Sequence, residues 1–274
     1  MRCAVLGDPI DHSLSPVLHR AGYDALGLDW SYDAVRVPSG GLARFFAEGG
    51  RWRGLSLTMP LKREVLAFGD EVTERARTAG AANTVVFDDG RLLLDNTDRP
   101  GAVAAVSERF TGQVTEVSIL GAGATAASLG LALCDLGART VRVFSREQGR
   151  AAQTIGAVLA HESGPEVIWA DLARVGAGTR LDGSVIVSTI PAEAQGKALV
   201  AACGEVPVIF EALYDPWPTP LAATALSSGQ VLVSGLDLLV HQAALQFTLF
   251  TARAAPLVQM RAAGLAALQA RSQR

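Results

Sequence analysis

Short apolar runs, each closed by Gly, Pro or a polar residue, alternate with stretches of helical periodicity along most of the chain. The first series of runs is Cys3–Leu6, Asp33–Val37, Gly54–Thr58, Thr84–Phe87 and Leu92–Leu94. The second is Val117–Leu120, Val141–Phe144, Val167–Ala170, Val185–Ser188, Val208–Phe210 and Val231–Ser234. Runs of this length between turn formers predict strands buried in a parallel sheet. Between them the spacing predicts helices over Pro16–Leu26, Arg63–Phe68, Val72–Thr78, Pro100–Phe110, Thr125–Leu136 and Gln148–Leu159. Ser15 reads as the N-cap of the first, with Pro16 at its first helical position. After Gly235 the pattern is helical throughout, over Leu238–Phe250 and Leu257–Gln273. Leu238, Gln242, Leu245 and Leu249 share one face there. An amide such as Gln242 inside an apolar stripe must find hydrogen-bond partners. The alternation as a whole argues for an α/β protein with parallel sheets. The Pro100–Phe110 helix joins the two strand series.

A length of 274 residues suggests two domains, and an apolar fraction of 49% is ample for their cores. The net charge of −3 supplies no basic field for nucleic acid or an anionic membrane. Cys3, Cys134 and Cys203 lie far apart without metal-ligand spacing and read as core residues in a reducing compartment. The first residues meet Gly7 and Asp8 too soon for a signal peptide. The uncharged stretch Gly121–Leu133 is too short to span a bilayer. A cytoplasmic protein is expected.

Lys62 is one of only two lysines, the other being Lys197; every other basic residue is Arg. A guanidinium stays protonated in proteins, whereas a lysine can be tuned to give up a proton. Lys62, within Ser56-Leu57-Thr58-Met59-Pro60-Leu61-Lys62, is therefore a candidate proton donor. Other polar groups cluster at the ends of the first strands. His12-Ser13-Leu14-Ser15-Pro16 puts two hydroxyls at a helix N-terminus, a place suited to a carboxylate. Gly80-Ala81-Ala82-Asn83-Thr84 brings an amide, and Asn96-Thr97-Asp98 a carboxylate. Together they form the inventory needed to orient a small polyhydroxy acid.

Ile119-Leu120-Gly121-Ala122-Gly123-Ala124-Thr125-Ala126 runs from a strand into a helix and matches Gly-x-Gly-x-x-Ala. Gly121 permits a tight turn, Gly123 lets backbone N–H groups approach a pyrophosphate, and the helix N-terminus adds positive potential. The next strand ends at Phe144-Ser145-Arg146. Ser145 has no carboxylate for a ribose, and Arg146 can clamp a 2′-phosphate, which favours NADP. Glu147 argues the other way, since it would repel a phosphate if it pointed inward.

These motifs resemble the shikimate dehydrogenase family over essentially the whole chain. The marks are Ser13-x-Ser15-Pro16, Thr58-Met59-Pro60-x-Lys62, Gly80-Ala81-Ala82-Asn83-Thr84 and Asn96-Thr97-Asp98. Gly121-Ala122-Gly123, Ser188-Thr189-Ile190-Pro191, Tyr214-Asp215-Pro216 and Gly235-x-x-Leu238-Leu239-x-x-Gln242 follow in the family's order. The resemblance implies an α/β fold with an N-terminal substrate domain built on a mixed sheet, over residues 1–100 and 236–274. A Rossmann-type NADP-binding domain over 101–235 lies between, and the C-terminal helices fold back on the first domain, with the active site in the cleft.

It implies a cytoplasmic NADPH-dependent oxidoreductase that reversibly reduces 3-dehydroshikimate to shikimate, in chorismate and aromatic amino acid biosynthesis. Lys62 and Asp98 would be the catalytic pair. Ser13 and Ser15 would hold the substrate carboxylate, with support from Tyr214. Thr58, Asn83, Asp98 and Gln242 would contact ring hydroxyls. Gly121, Ala122, Gly123, Ala124, Ser145, Arg146, Thr189, Gly235 and Leu238 would bind NADP. No metal, nucleic acid or membrane partner is implied, and the protein would be a monomer or homodimer.

Five positions depart from the family or add to it. Ser56 stands where the family often has Asn, and Leu238 where it often has Met. Ser145-Arg146-Glu147 replaces Asn-Arg-Thr. Arg99 adds a charge after Asp98 which, directed inward, would widen or change substrate choice. Rival readings are a quinate/shikimate or aminoshikimate dehydrogenase using NAD or NADP, and a catalytically inactive metabolite-sensing homologue. The presence of both Lys62 and Asp98 speaks against the inactive form, and the Ser13/Ser15 pair against a folate-linked dehydrogenase.

Overall fold

A computed structural model describes residues 1–176 and 180–272, so Gln273, the last residue of the predicted C-terminal helix, lies outside the described residues. The chain divides into two units, Met1–Thr97 with Leu239–Arg274, and Asp98–Leu238. It crosses between them after Thr97 and again after Leu238.

The first unit holds β1 (Arg2–Gly7), β2 (Ser31–Arg36), β3 (Trp52–Leu57), β4 (Glu71–Val72), β5 (Thr84–Asp88) and β6 (Arg91–Asp95). Their order across the sheet is β2-β1-β3-β5-β6-β4. β1 runs parallel to β2 and β3, and β4 parallel to β6, but β5 is antiparallel to both its neighbours. The strand pattern alone predicted parallel sheets throughout; this sheet is mixed. The cause is local. Asp89 and Gly90 both take positive φ, 44° and 79°, the backbone of a two-residue hairpin turn.

Three further differences are physical. β4 falls at the start of the predicted Val72–Thr78 helix. Two residues pair with β6, Thr73 then caps by accepting from the Ala76 N–H at 3.4 Å, and the helix is Glu74–Ala79. Ser15 is not an N-cap: it is the first residue of the helix Ser15–Ala25, and the Ser13 hydroxyl accepts its N–H at 3.3 Å. The expected Arg63–Phe68 helix is a short turn, Leu61–Glu64, tightening to 3₁₀ over Val65–Ala67.

The C-terminal helices complete this unit. Ser15–Ala25 packs against Leu257–Ser272. Phe250, on the helix Gly235–Thr251, lies over Gly54, where a Cβ would stand 2.1 Å from its ring. Beside it is an aromatic cluster of His19, Tyr23, Tyr32, Phe247 and Phe250. His19 stacks on Tyr32 with centroids 4.2 Å apart. Both its ring nitrogens are buried without a hydrogen-bond partner.

The second unit holds β7 (Glu116–Leu120), β8 (Thr140–Ser145), β9 (Glu166–Asp171), β10 (Val185–Ser188), β11 (Val208–Glu211) and β12 (Val231–Ser234). All are parallel, in the order β12-β11-β10-β7-β8-β9. This is the doubly wound arrangement, with its switch point between β7 and β10. Val185, Val187, Val208 and Phe210 face one core, while Ile186 and Ile209 face the other. Alternate side chains of a strand point to opposite faces, so apolar runs without polar interruption are what a doubly covered sheet needs. Helices Asp98–Arg109, Ala124–Asp135 and Gln148–Leu159 cover the first face, and Lys197–Ala202 and Pro220–Ser228 the second. The last two, and Leu42–Ala47 in the first unit, escaped the sequence pattern because one or two turns show too little periodicity. All three cysteines are free and buried. Among the described residues no helix is long and apolar enough to cross a membrane.

Burial pushes the His19 pKa from 6.5 down to about 3. A base whose pKa is depressed by folding binds protons better in the unfolded chain, so the fold loses stability as pH falls from about 6.5 towards about 3. His19→Phe keeps the aromatic packing and should flatten that part of the stability profile in denaturant titrations. An acid slope as steep as that of the wild type would show that other groups set it.

Candidate active site

Strand direction collects the polar motifs of the first unit. β1, β3 and β6 run the same way and β5 runs against them. The exits of β1, β3 and β6 and the entrance of β5 therefore lie at one edge of the sheet. That edge carries Ser13 and Ser15 after β1, Thr58 and Lys62 after β3, Asn83 before β5, and Asn96 and Thr97 after β6.

Backbone bonds lock the edge. The Thr58 N–H donates to the Leu6 carbonyl and the Asp8 N–H to the Met59 carbonyl, both at 2.9 Å. A Cβ on Gly7 would lie 2.3 Å from the Thr58 methyl group, so glycine is needed for this approach. The half-buried Lys62 accepts the Ala82 N–H on its backbone carbonyl at 2.7 Å, which joins its turn to the Asn83 segment.

Asn83 is 2% exposed. Its Nδ2 donates to Thr97 Oγ1 at 2.9 Å and to Gln242 Oε1 at 3.1 Å. Its Oδ1 accepts the Thr97 N–H and the Thr84 hydroxyl, each at 2.8 Å. Gln242 Nε2 donates to the Leu239 carbonyl at 3.0 Å, so the amide in the apolar stripe finds its partners. Arg75 forks onto the buried Asp95, which also accepts the Thr73 hydroxyl at 2.8 Å and the Asn96 N–H at 2.7 Å. This fixes the segment leading to Asp98.

Gln246 was missed in the sequence. It accepts from Ser56 Oγ at 2.6 Å and donates to the Asn83 carbonyl and to Thr84 Oγ1, each at 2.9 Å. Tyr32 donates to Ser56 Oγ at 2.5 Å and extends the chain. The available signal was its position four residues after Gln242, on the same helical face.

The second unit carries Asp98, Tyr214 and the nucleotide-type turn. Asp98 opens the helix Asp98–Arg109 and is 4% exposed. Gly121 has φ +111°, and a Cβ there would meet Thr189 Oγ1 at 2.2 Å. Thr189, after β10, donates N–H and Oγ1 to the Leu120 carbonyl at 2.9 and 3.1 Å, which closes the switch point. Gly123 has open space where a side chain would be, and the helix Ala124–Asp135 begins without a side-chain cap. Thr154, another residue the sequence did not flag, donates to the Ala122 carbonyl at 2.8 Å and fixes the turn. An uncapped helix N-terminus below an open glycine turn suits a pyrophosphate.

Ser145 Oγ donates to the Glu147 carbonyl at 2.7 Å and accepts Trp169 Nε1 at 3.0 Å, so it shapes the turn after β8. Arg146 is exposed, and Glu147 pairs with Arg150 of its own helix at 3.4 Å. Gly235 sits where a Cβ would be 2.5 Å from the Ala212 and Leu213 carbonyls, and Leu238 packs into the core of this unit. The half-buried Tyr214 follows the buried Glu211. Gln195 Nε2, Thr219 Oγ1 and the Leu213 N–H donate to the Glu211 carboxylate at 2.7, 2.9 and 3.0 Å. Burial pushes that carboxyl up, and these donors oppose the shift only in part.

Known proteins are similar to this chain in sequence and in fold. The family model described as the shikimate dehydrogenase substrate binding domain matches residues 5–85, and that of the shikimate 5′-dehydrogenase C-terminal domain matches residues 235–263. A shikimate dehydrogenase (NADP(+)) of Desulfitobacterium hafniense strain Y51 is 34% identical over 265 residues, spanning 95% of this chain and 96% of that one. The chain belongs to the shikimate dehydrogenase family. The crystal structure of Mycobacterium tuberculosis shikimate dehydrogenase superposes with a TM-score of 0.85 at 37% identity, covering 97% of this chain and 99% of that one. The Thermus thermophilus shikimate 5-dehydrogenase, solved in complex with NADP(H) and shikimate, gives 0.83 at 30% identity with the same coverage. Ser56, at the position where an Asn was expected, is held by Gln246 at 2.6 Å.

Gln246→Leu keeps the helix and much of the volume but strips the buried Ser56 hydroxyl proton of its acceptor, and leaves Thr84 Oγ1 and the Asn83 carbonyl, which keeps the Leu57 N–H, one donor short. Each buried group left unpaired costs about 1–3 kcal/mol, so the variant should unfold at clearly lower denaturant concentration. A midpoint equal to the wild type's would show that water replaces the amide.

Proposed function

We propose that this chain catalyses the reversible NADPH-dependent reduction of 3-dehydroshikimate to shikimate, a step towards aromatic amino acids. The observation that carries the reading is the convergence of Ser13, Ser15, Thr58, Lys62, Asn83 and Gln242 on one sheet edge. Those groups match a ligand with one carboxylate and several ring hydroxyls. The relatives named for NADP and the complex with shikimate and NADP(H) support it.

In this reading Ser13 and Ser15 donate to the carboxylate, and Tyr214 supports that end. Thr58, Asn83 and Gln242 orient ring hydroxyls. The pinned Asn83 amide matters because its own geometry is fixed before substrate arrives. The nicotinamide, when bound, supplies the hydride. Negative charge would then develop on the ketone oxygen, and Lys62 would protonate it, with Asp98 as the second member of the catalytic pair. Gly121, Ala122, Gly123 and Ala124 would cradle the pyrophosphate, with Thr189 closing the turn. Arg146 would take the 2′-phosphate, with Ser145 shaping its loop. Gly235 and Leu238 would support the nicotinamide side. The pairing of Glu147 with Arg150 favours this choice, because it draws the carboxylate towards a cation on its own helix.

The test is a steady-state assay crossing shikimate and quinate with NADP and NAD. Shikimate with NADP should give the highest kcat/KM; quinate with NAD in that place would overturn the reading. Lys62→Ala and Lys62→Arg should both lower kcat by about 100-fold or more, as loss of a general acid does, with the shikimate KM changed far less. A near-normal kcat in Lys62→Arg would reduce the lysine to a charge.

Arg146→Ala should raise the NADP KM by an amount equivalent to about 1.5–3 kcal/mol, the worth of a hydrogen bond to a charged group, and leave NAD kinetics nearly unchanged. A wild type that prefers NAD and ignores this substitution would overturn the cofactor choice alone.

A further inference from the structure

Arg99 follows Asp98 directly, and the direction of its charge was open in the sequence. Its guanidinium forks onto Asp135, with Nε to Oδ2 at 2.7 Å and Nη2 to Oδ1 at 2.5 Å. The two side chains are 18% and 29% exposed, so the pair is shielded rather than solvated. Asp135 Oδ1 also meets His161 Nε2 at 3.1 Å. On the other side of that ring, Nδ1 accepts the Ser163 N–H at 3.1 Å. Ser163 Oγ lies 2.8 Å from the same nitrogen, so the ring is held at both edges. Burial works against the charge on Asp135, but Arg99 and His161 outweigh it and hold the carboxyl below the usual range.

The position of this cluster gives it a role. Asp135 is the last residue of the helix Ala124–Asp135, whose first residue leaves the glycine turn. Arg99 is the second residue of the helix that Asp98 opens. His161 lies just beyond the helix Gln148–Leu159, whose Thr154 pins the same glycine turn. The Asp98 helix packs on Ala124–Asp135, and the two bring Ala102, Ala105, Ala126 and Ala132 to the same core. Alanines offer little relief by which to fix rotation about a helix axis. A bidentate fork in the first turn does fix it.

We propose that Arg99, Asp135 and His161 are positioning residues that hold Asp98 in register with the glycine turn through one rigid helix. The inference rests on the reading of Asp98 as a catalytic carboxylate. Arg99 is then a clamp turned onto Asp135, and not the pocket charge the sequence allowed.

The test measures kcat, both KM values and unfolding midpoints for Arg99→Ala, Arg99→Lys, Asp135→Asn, the double Arg99→Ala/Asp135→Asn, and Asp98→Asn. Misplacing a reacting group by about 1 Å costs up to about 100-fold, so each clamp variant should lose roughly 10-fold in kcat, with both KM values within about twofold. Arg99→Lys should not rescue, because an ammonium cannot fork. The double should lose no more than the worse single, since the two residues act as one unit. Single variants with normal kcat per folded molecule, losses that multiply in the double, or rescue by lysine would each overturn the clamp. Asp98→Asn separates the two claims: a near-normal kcat there sinks the catalytic reading of Asp98, whereas its loss beside unaffected clamp variants sinks only the positioning role.

Discussion

A buried amide must have its donors and acceptors met, and the first unit is arranged around meeting those of Asn83. Its hydrogen bonds reach the start of β5, the exit of β6 and the helix Gly235–Thr251. These are segments far apart in the chain. Replacing any partner by an apolar group would strand a polar atom in a site with almost no water access. The requirement thus fixes the relative placement of Thr84, Thr97 and Gln242, and the same placement leaves the polar edge of the sheet preorganised.

The second unit uses the same device on backbone carbonyls. Thr154 takes the Ala122 carbonyl, Thr189 takes that of Leu120, and Ser145 takes that of Glu147. Each hydroxyl lies beside a turn at the C-terminal end of the parallel sheet, where doubly wound folds bind their ligands. Glu211 does related work for the loop of Tyr214, with donors from Gln195 and Thr219 gathered on its carboxylate.

Much of this was legible in the sequence because apolar runs report strands directly. Five of the six strands in the first unit and all six in the second fall on runs read from the sequence. The two residues of β4 did not stand out, because no periodicity exists over so short a span. Ser15 was misread as a cap because a Ser before Pro fits that role locally, whereas Ser13 supplies the oxygen. The reversal of β5 was not read from its apolar pattern, which is the same for either direction; the Asp89-Gly90 turn was its sign. Polar residues with motif neighbours stood out in the sequence, and those defined by distant partners did not. Gln246 bonds Ser56 across 190 positions and Thr154 bonds Ala122 across 32, separations at which a single sequence carries no pairing signal.

The return of Leu239–Arg274 to the first unit has a consequence for how the protein is made. Chains grow from the N-terminus, and domains fold as units as they emerge. The second unit is contiguous, so its whole sheet is available to a nascent chain once Leu238 has been added. The first unit was begun earlier but lacks Gln242, Gln246, Phe247 and Phe250 until the second unit has been made. Until then Asn83 has no amide opposite it, and the face of β3 at Gly54 has no ring to cover it. Of the two units, the one that starts first is completed second.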